Sequence, residues 1–269
     1  MAECNNGAEI KSQSYTYADS DRELHAWLQN FTSRIGDGSG DPEEEFLSLV
    51  KLVTNCKPNS NFLEIGCGFG RIIGIVEHSV GRAVGLEPDF KRFRACHDTF
   101  DDGDRIRIIH ATSGEYKRAH PANHFDIVVV SMVLQHVSTG TCDQILRDVY
   151  DLLTPEGVAI LATTQQEVER FAFQSSPGPH SEEEYNRYAL EPGDRKWGLP
   201  VRAFSKASFR RVIEAAGLSV IHWGQFSYIR PEKLPWMART LNVASEAIRD
   251  VGTSQYAVVK RGGTPSVLE

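Results

Sequence analysis

Asn61-Phe-Leu-Glu-Ile-Gly-Cys-Gly-Phe-Gly-Arg-Ile-Ile-Gly74 places three glycines, Gly66, Gly68 and Gly70, between two apolar runs. Glycine at this density frees a backbone to bend sharply or to lie directly against a ligand. The flanks read as a buried strand followed by a helix, so the glycines form a strand-to-helix turn whose N–H groups point outward at the helix start. Such a turn sits at the carboxyl end of the first strand of an open parallel sheet, where ligands bind.

Working outward, the same rhythm repeats. RAVGLEP (82–88) reads as a second strand and RIRIIHA (105–111) as a third. FDIVVVSMV (125–133) is a fourth, apolar enough to be buried on both faces, and VAILATT (158–164) a fifth. Helical patterns lie between them: one starts near Arg71, one near Phe90, and one spans 141–153. Alternation of this kind implies a doubly wound, mostly parallel sheet with helices on both faces. SKASFRRVIEAAG (205–217) is a helix capped by Ser205, and LSVIHWGQF (218–226) and QYAVVKR (255–261) close the chain as strands. Seven strands result, with the last expected to run antiparallel.

Two segments stand outside this rhythm. Residues 1–55 read as an N-terminal helical extension, with a helix over Asp19–Phe31 and another from Pro42 through Val53. Residues 165–200 lack strong periodicity and are too long for a passive connection, so they read as a lid-like insertion within the main domain, 56–269.

The chain has 269 residues and a formal net charge of −7, which argues against a general affinity for nucleic acid or an anionic membrane. Lys91, Arg92 and Arg94 read as a solvated helix face. The five cysteines are scattered with no C-x-x-C pair, as expected in a reducing compartment. No apolar run suggests a signal peptide or a membrane span, so the expected setting is cytoplasmic, as a monomer or homodimer.

At the second strand's end stands Leu86-Glu87-Pro88. A carboxylate there accepts two hydrogen bonds from a ribose diol, and Pro88 stops the strand. Loop and acid together point to a nucleoside-containing cofactor. The dinucleotide fingerprint G-x-G-x-x-G would require glycine where Arg71 stands; the pattern here is E-x-G-x-G-x-G, Glu64 to Gly70. A nicotinamide-dependent oxidoreductase is therefore the alternative rather than the first choice.

LEIGCGFGR with GLEPD resembles the first motif and partner acid of class I S-adenosylmethionine-dependent methyltransferases. FDIVVVSMVLQHV, LTPEGVAIL and FSKASFRRVIEAAGLSVI are similar to that family's later motifs, so the likeness covers roughly 60–165 and 203–261. The resemblance implies S-adenosylmethionine as methyl donor and S-adenosylhomocysteine as product. It implies a cofactor site of Glu64, Gly66, Cys67, Gly68, Gly70, Glu87 and Pro88. Ala111 and Thr112 would lie at the adenine, and Ser131 and Met132 where cofactor and acceptor meet. The family's common Asp near Ala111 is absent.

His136, just past the fourth strand, is the candidate general base; a capping or packing histidine is the competing reading. His180 and His222 are weaker candidates, and Tyr15 and Tyr17 are placed to close over a sulfonium. No acidic metal-binding pair stands near the fourth strand, so no metal is expected. The Asp/Asn-Pro-Pro-aromatic stretch of amino-methylating nucleic-acid enzymes is missing. The expected acceptor is a small molecule, methylated at oxygen with nitrogen or carbon open, in a pocket walled by Tyr185, Arg187, Tyr188 and Trp197. A macromolecular acceptor, RNA or protein, is the other alternative.

Overall fold

The computed structural model describes residues 44–166, 172–175, 178–190, 201–227 and 253–262. Helix α1 (Glu44–Cys56) precedes β1 (Asn61–Ile65), α2 (Arg71–Val76), β2 (Arg82–Leu86), α3 (Phe90–Phe100), β3 (Ile106–Ile109), α4 (Ser113–Ala119) and β4 (Phe125–Ser131). A short 3₁₀ turn (Leu134–His136) leads into α5 (Thr139–Leu152) and β5 (Leu153–Thr164). After β6 (Phe173–Ser175), β7 (Gly178–Pro179), α6 (Glu182–Leu190) and β8 (Val201–Arg202) come α7 (Lys206–Ala215), β9 (Leu218–Ser227) and β10 (Thr253–Arg261).

The main sheet has seven strands in the order β3-β2-β1-β4-β5-β10-β9. Strands β1 to β5 pair in parallel, and β10 runs antiparallel to both β5 and β9. This is the expected Rossmann-like sheet with one reversed strand. Order reverses between β1 and β4, so the crevice of the fold opens at the carboxyl ends of those two strands.

Alternating strand residues supply two cores. Leu63, Val84, Val128, Leu161 and Val259 face α5 and α7 through Leu146, Val149, Phe209 and Ile213. Phe62, Ala83, Ile127, Ile160 and Tyr256 face α1 to α3 through Phe46, Val50, Ile73 and Cys96. Helix α4 is joined to α5 by polar contacts: Asp148, fully buried, accepts from Ser113 Oγ at 2.8 Å and pairs with Lys117 Nζ at 2.7 Å.

The expected boundaries shift in two places. Strand β5 begins at Leu153 rather than at Val158, because its register with β4 slips between Phe125 and Ile127 and takes up the Pro155-Glu156-Gly157 bend. The insertion is structured where it is described. Strands β6, β7 and β8 form a second small sheet, order β7-β6-β8, and α6 carries a capping box in which Ser181 and Glu184 exchange bonds. The expected helix over Asp19–Phe31, with Tyr15 and Tyr17, lies outside the described residues.

Candidate functional site

The glycine turn hooks over the end of β2. The N–H groups of Gly66 and Cys67 both donate to Leu86 O, at 2.8 and 3.0 Å. All three glycines have positive φ: 75° at Gly66, 56° at Gly68 and 83° at Gly70. Their surroundings differ. A Cβ on Gly66 would collide with Val133 Cγ2, and one on Gly70 would lie 2.6 Å from the Phe100 ring. Gly68 has nothing within 4 Å of its Cβ position. Gly66 and Gly70 therefore allow close packing of the turn, while Gly68 faces open space. Cys67 fills the room left by Gly85, its Sγ 3.9 Å from Cys96 Sγ. It is a buried thiol, and the Cys96 contact together with burial pushes its pKa well up, so it is not a thiolate nucleophile.

Two carboxyls flank the turn. Glu87, 3% exposed, accepts from Gly68 N–H at 2.8 Å through Oε2 and from Asp89 N–H at 2.8 Å through Oε1. Each oxygen retains acceptor capacity toward a further donor. Burial raises its pKa, against the opposing pull of Arg92 and the two N–H groups. Glu64, also 3% exposed, has an Oε2 with no hydrogen-bond partner. Burial, then the Cys96 sulfur and the Glu87 carboxylate, hold its carboxyl well above the usual range, with Ile73 N–H acting the other way. A buried acid with one unpartnered oxygen, beside an open backbone cradle, is an arrangement that invites a cation.

Beyond β2, Pro88 O lies 2.9 Å from His110 Nε2, and the His110 ring stacks on Phe93 with centroids 5.2 Å apart. Phe90 is exposed beside them. Ala111 is half-buried at the end of β3. Thr112 is exposed at the start of α4. Its hydroxyl donates to Glu115 Oε2 at 2.8 Å and accepts from Glu115 N–H, which commits it to the cap of α4. The Thr-x-x-Glu spacing in the sequence carried that signal.

On the other side of the crevice, Ser131 ends β4 half-buried. Met132 follows at φ 58° with its N–H on Ala162 O at 3.0 Å. A left-handed methionine is strained backbone, of the kind that persists at functional sites. His136 is 8% exposed on the 3₁₀ turn, its N–H donating to Val133 O at 2.9 Å.

Among the expected wall residues, Tyr185 is buried against the β4 turn. It is 1% exposed, and its hydroxyl donates to Gln135 O and Val137 O, so it anchors the insertion instead of lining an open pocket. Arg187 is exposed and Tyr188 half-buried on α6, while Trp197 lies outside the described residues. His180 is half-buried, 3.9 Å from Glu184, and His222 is exposed on β9. Arg202, which sequence reasoning did not single out, holds its guanidinium 4.2 Å from the Phe204 ring centroid with Nη1 buried and unpaired.

The fold, the turn and its two acids define a class I S-adenosylmethionine-dependent methyltransferase. The methyltransferase domain family matches residues 42–223, most of the chain, and the protein belongs to that family. The nicotinamide alternative falls with it. Two curated relatives are a nonribosomal peptide synthetase, asqK, of Emericella nidulans and a highly reducing polyketide synthase, sthA, of Phaeosphaeria nodorum. The first is 27% identical over 138 residues, 47% of this chain and 5% of that protein. The second is 26% identical over 120 residues, 42% of this chain and 4% of that protein. The stretches shared are thus a small part of either relative.

Solved structures agree in fold. An S-adenosylmethionine-dependent methyltransferase from Clostridium acetobutylicum superposes with a TM-score of 0.57 at 10% identity, covering 91% of this chain and 100% of that one. The N-methyltransferase NodS of Bradyrhizobium japonicum gives 0.55 at 12%, covering 84% and 99%. The Burkholderia thailandensis 1,6-didemethyltoxoflavin-N1-methyltransferase, with S-adenosylhomocysteine bound, gives 0.54 at 13%, covering 92% and 93%.

Proposed function

We propose that this methyltransferase acts on a small-molecule acceptor, at oxygen in the first instance, with Glu64, the Gly66–Gly70 turn and Glu87 holding the donor. The observation that carries the donor assignment is Glu64: a buried carboxyl with an unpartnered oxygen, in the same turn motif as Gly68, the turn glycine whose side-chain position is open. These residues fit S-adenosylmethionine. Glu64 would face the ammonium of its methionine part, the cradle at Gly68 would receive its backbone-like portion, and Glu87 would take the ribose diol at the end of β2. Pro88 and Ala111 would border the adenine.

When bound, the cofactor supplies a methyl group on a sulfonium, with a neutral thioether as leaving group. The chain's own residues then have two tasks. Ser131 and Met132, at the end of β4, would align the acceptor in the crevice; alignment alone supplies about 7–11 kcal/mol toward such a reaction. His136 would take the acceptor's proton, worth about 10²–10⁴-fold in rate. No metal enters this reading. The described parts of the insertion, 172–175 and 178–190, would close the crevice over the acceptor, with Tyr188 and Arg187 on α6.

Support for a small molecule comes from the relatives, both synthases of peptide or polyketide products by name. The test has two steps. Mass spectrometry of ligands released from purified protein should find S-adenosylmethionine or its demethylated product. Labelled-methyl transfer should then mark a compound in a metabolite extract and leave total RNA and protein unmarked. Label in RNA or protein alone would reverse the acceptor assignment.

A further inference from the structure

The hydroxyl of Tyr185 makes contacts that packing does not require. The ring already packs against Phe173, centroids 5.0 Å apart, and a phenylalanine would fill the same space. The single O–H faces two main-chain carbonyls, Gln135 O at 2.9 Å and Val137 O at 2.8 Å. One proton shared by two acceptors draws together the peptide units on either side of the His136–Val137 step. Burial raises the pKa of this hydroxyl, so it stays a donor across the physiological range. The next residue adds a second grip: Asn186 Oδ1 accepts from Thr139 N–H at 2.8 Å, and Asn186 Nδ2 donates to Thr139 Oγ1 at 2.9 Å. From the sheet side, Thr163 Oγ1 donates to Gln135 Oε1 at 3.2 Å. Residues 135–139 are thus held from β5 and from α6 at once, directly after the strained Met132.

We propose that Tyr185 is a positioning residue for methyl transfer: through the carbonyls of Gln135 and Val137 it fixes the direction in which His136 presents its imidazole, and so ties the folding of the insertion onto the crevice to the readiness of the base. This rests on the reading of His136 as the base. It explains why a helix of the insertion reaches back to the β4 turn. The acceptor-side chemistry is assembled only when α6 is docked, and a displaced α6 releases the peptides around His136.

The test uses the full chain saturated with S-adenosylhomocysteine and labelled at its histidine rings, with the His136 signal assigned by its loss in His136→Gln. In Tyr185→Phe the His136 ring signal should shift and broaden while the other histidine signals stay in place. In the labelled-methyl assay Tyr185→Phe should lower kcat by up to about a hundredfold, with the acceptor KM changed by less than about twofold. The double variant with His136→Gln should be no slower than His136→Gln alone. Should Tyr185→Phe fail to fold, Asn186→Ala loosens the same turn from its other end and is read by the same signal. An unmoved His136 signal, or losses that multiply in the double variant, would overturn the proposal. A slow His136→Gln beside a fast Tyr185→Phe removes the latch alone; a His136→Gln variant at the wild-type rate removes both the latch and the base.

Discussion

Glu64 is stabilised poorly by its own fold, and that makes it informative. Burial lifts its carboxyl well above the ordinary value of 4.5, so the folded chain binds that proton more tightly than the unfolded chain does. The stability linked to this group is fully present below the ordinary value and is lost as pH rises through the elevated folded one. Glu64→Gln should therefore melt higher than the wild type at neutral pH without ligand, with the gap closing below about pH 4.5. The same variant should bind S-adenosylhomocysteine more weakly, because the amide no longer offers a charge to the ammonium. Melting curves across pH and calorimetry measure the two effects, and a Glu64→Gln protein that is both less stable and equally tight would contradict the assignment.

Still at the residue scale, the three glycines should separate. Gly66→Ala and Gly70→Ala force a methyl into Val133 or into Phe100, which should add an overpacking cost of about 1–3 kcal/mol to the left-handed backbone cost of about 1–2 kcal/mol that all three positions carry, read in urea titrations. Gly68→Ala meets no neighbour; it should lose only the left-handed backbone term, about 1–2 kcal/mol, yet lose most affinity for the cofactor. The sequence made all three legible as a ligand turn but not their division of labour. That depends on Val133 and Phe100, side chains brought in by tertiary packing. The left-handed Met132 was hidden for the same reason, since nothing in its identity marks a positive φ.

Elements were legible where pattern and chemistry agreed. The buried runs of β1 and β4 and the Ser205-capped α7 stand where periodicity put them, with Ser205 Oγ accepting Ser208 N–H at 3.1 Å. The insertion was harder, because its strands are two or three residues long and carry no period. Its helix was announced by Ser181-x-x-Glu184, a local signal outweighed by the surrounding polar residues. Tyr185 looked like a pocket aromatic because sequence does not show that its hydroxyl meets two carbonyls. The joint between α4 and α5 was likewise invisible. There Asp148 takes bonds from Ser113, Gln144 and Lys117 while fully buried. Asp148→Ala strands those donors and should cost about 3 kcal/mol, the low end for a broken buried pair because Lys117 keeps partial access to water. Urea unfolding measures it, and cofactor affinity should be spared.

For the whole molecule, strand order sets a division between two halves of the crevice. The residues proposed to hold the donor sit on β1 and β2 and in the loops after them, on one side of the β1–β4 reversal. The β4 turn, the end of β5 and the latched insertion sit on the other. The proposed donor side could be read from the sequence because a nucleoside cofactor demands particular residue types at fixed places. The acceptor side could not, because a sulfonium methyl needs alignment more than it needs any one side chain. The halves should therefore fail independently. Glu87→Ala loses the acid at the end of β2 and should weaken S-adenosylhomocysteine binding by about 1.5–3 kcal/mol, the range for hydrogen bonds to a charged group. Phe173→Ala, with its side chain against Tyr185 in the insertion, should leave that affinity within about twofold, since well-separated sites act additively. It should nonetheless depress methyl transfer. Calorimetry with S-adenosylhomocysteine, run beside the labelled-methyl assay, reads both quantities on each variant. If Phe173→Ala weakened cofactor binding as much as Glu87→Ala does, the crevice would be one coupled site and the division drawn from strand order would be wrong.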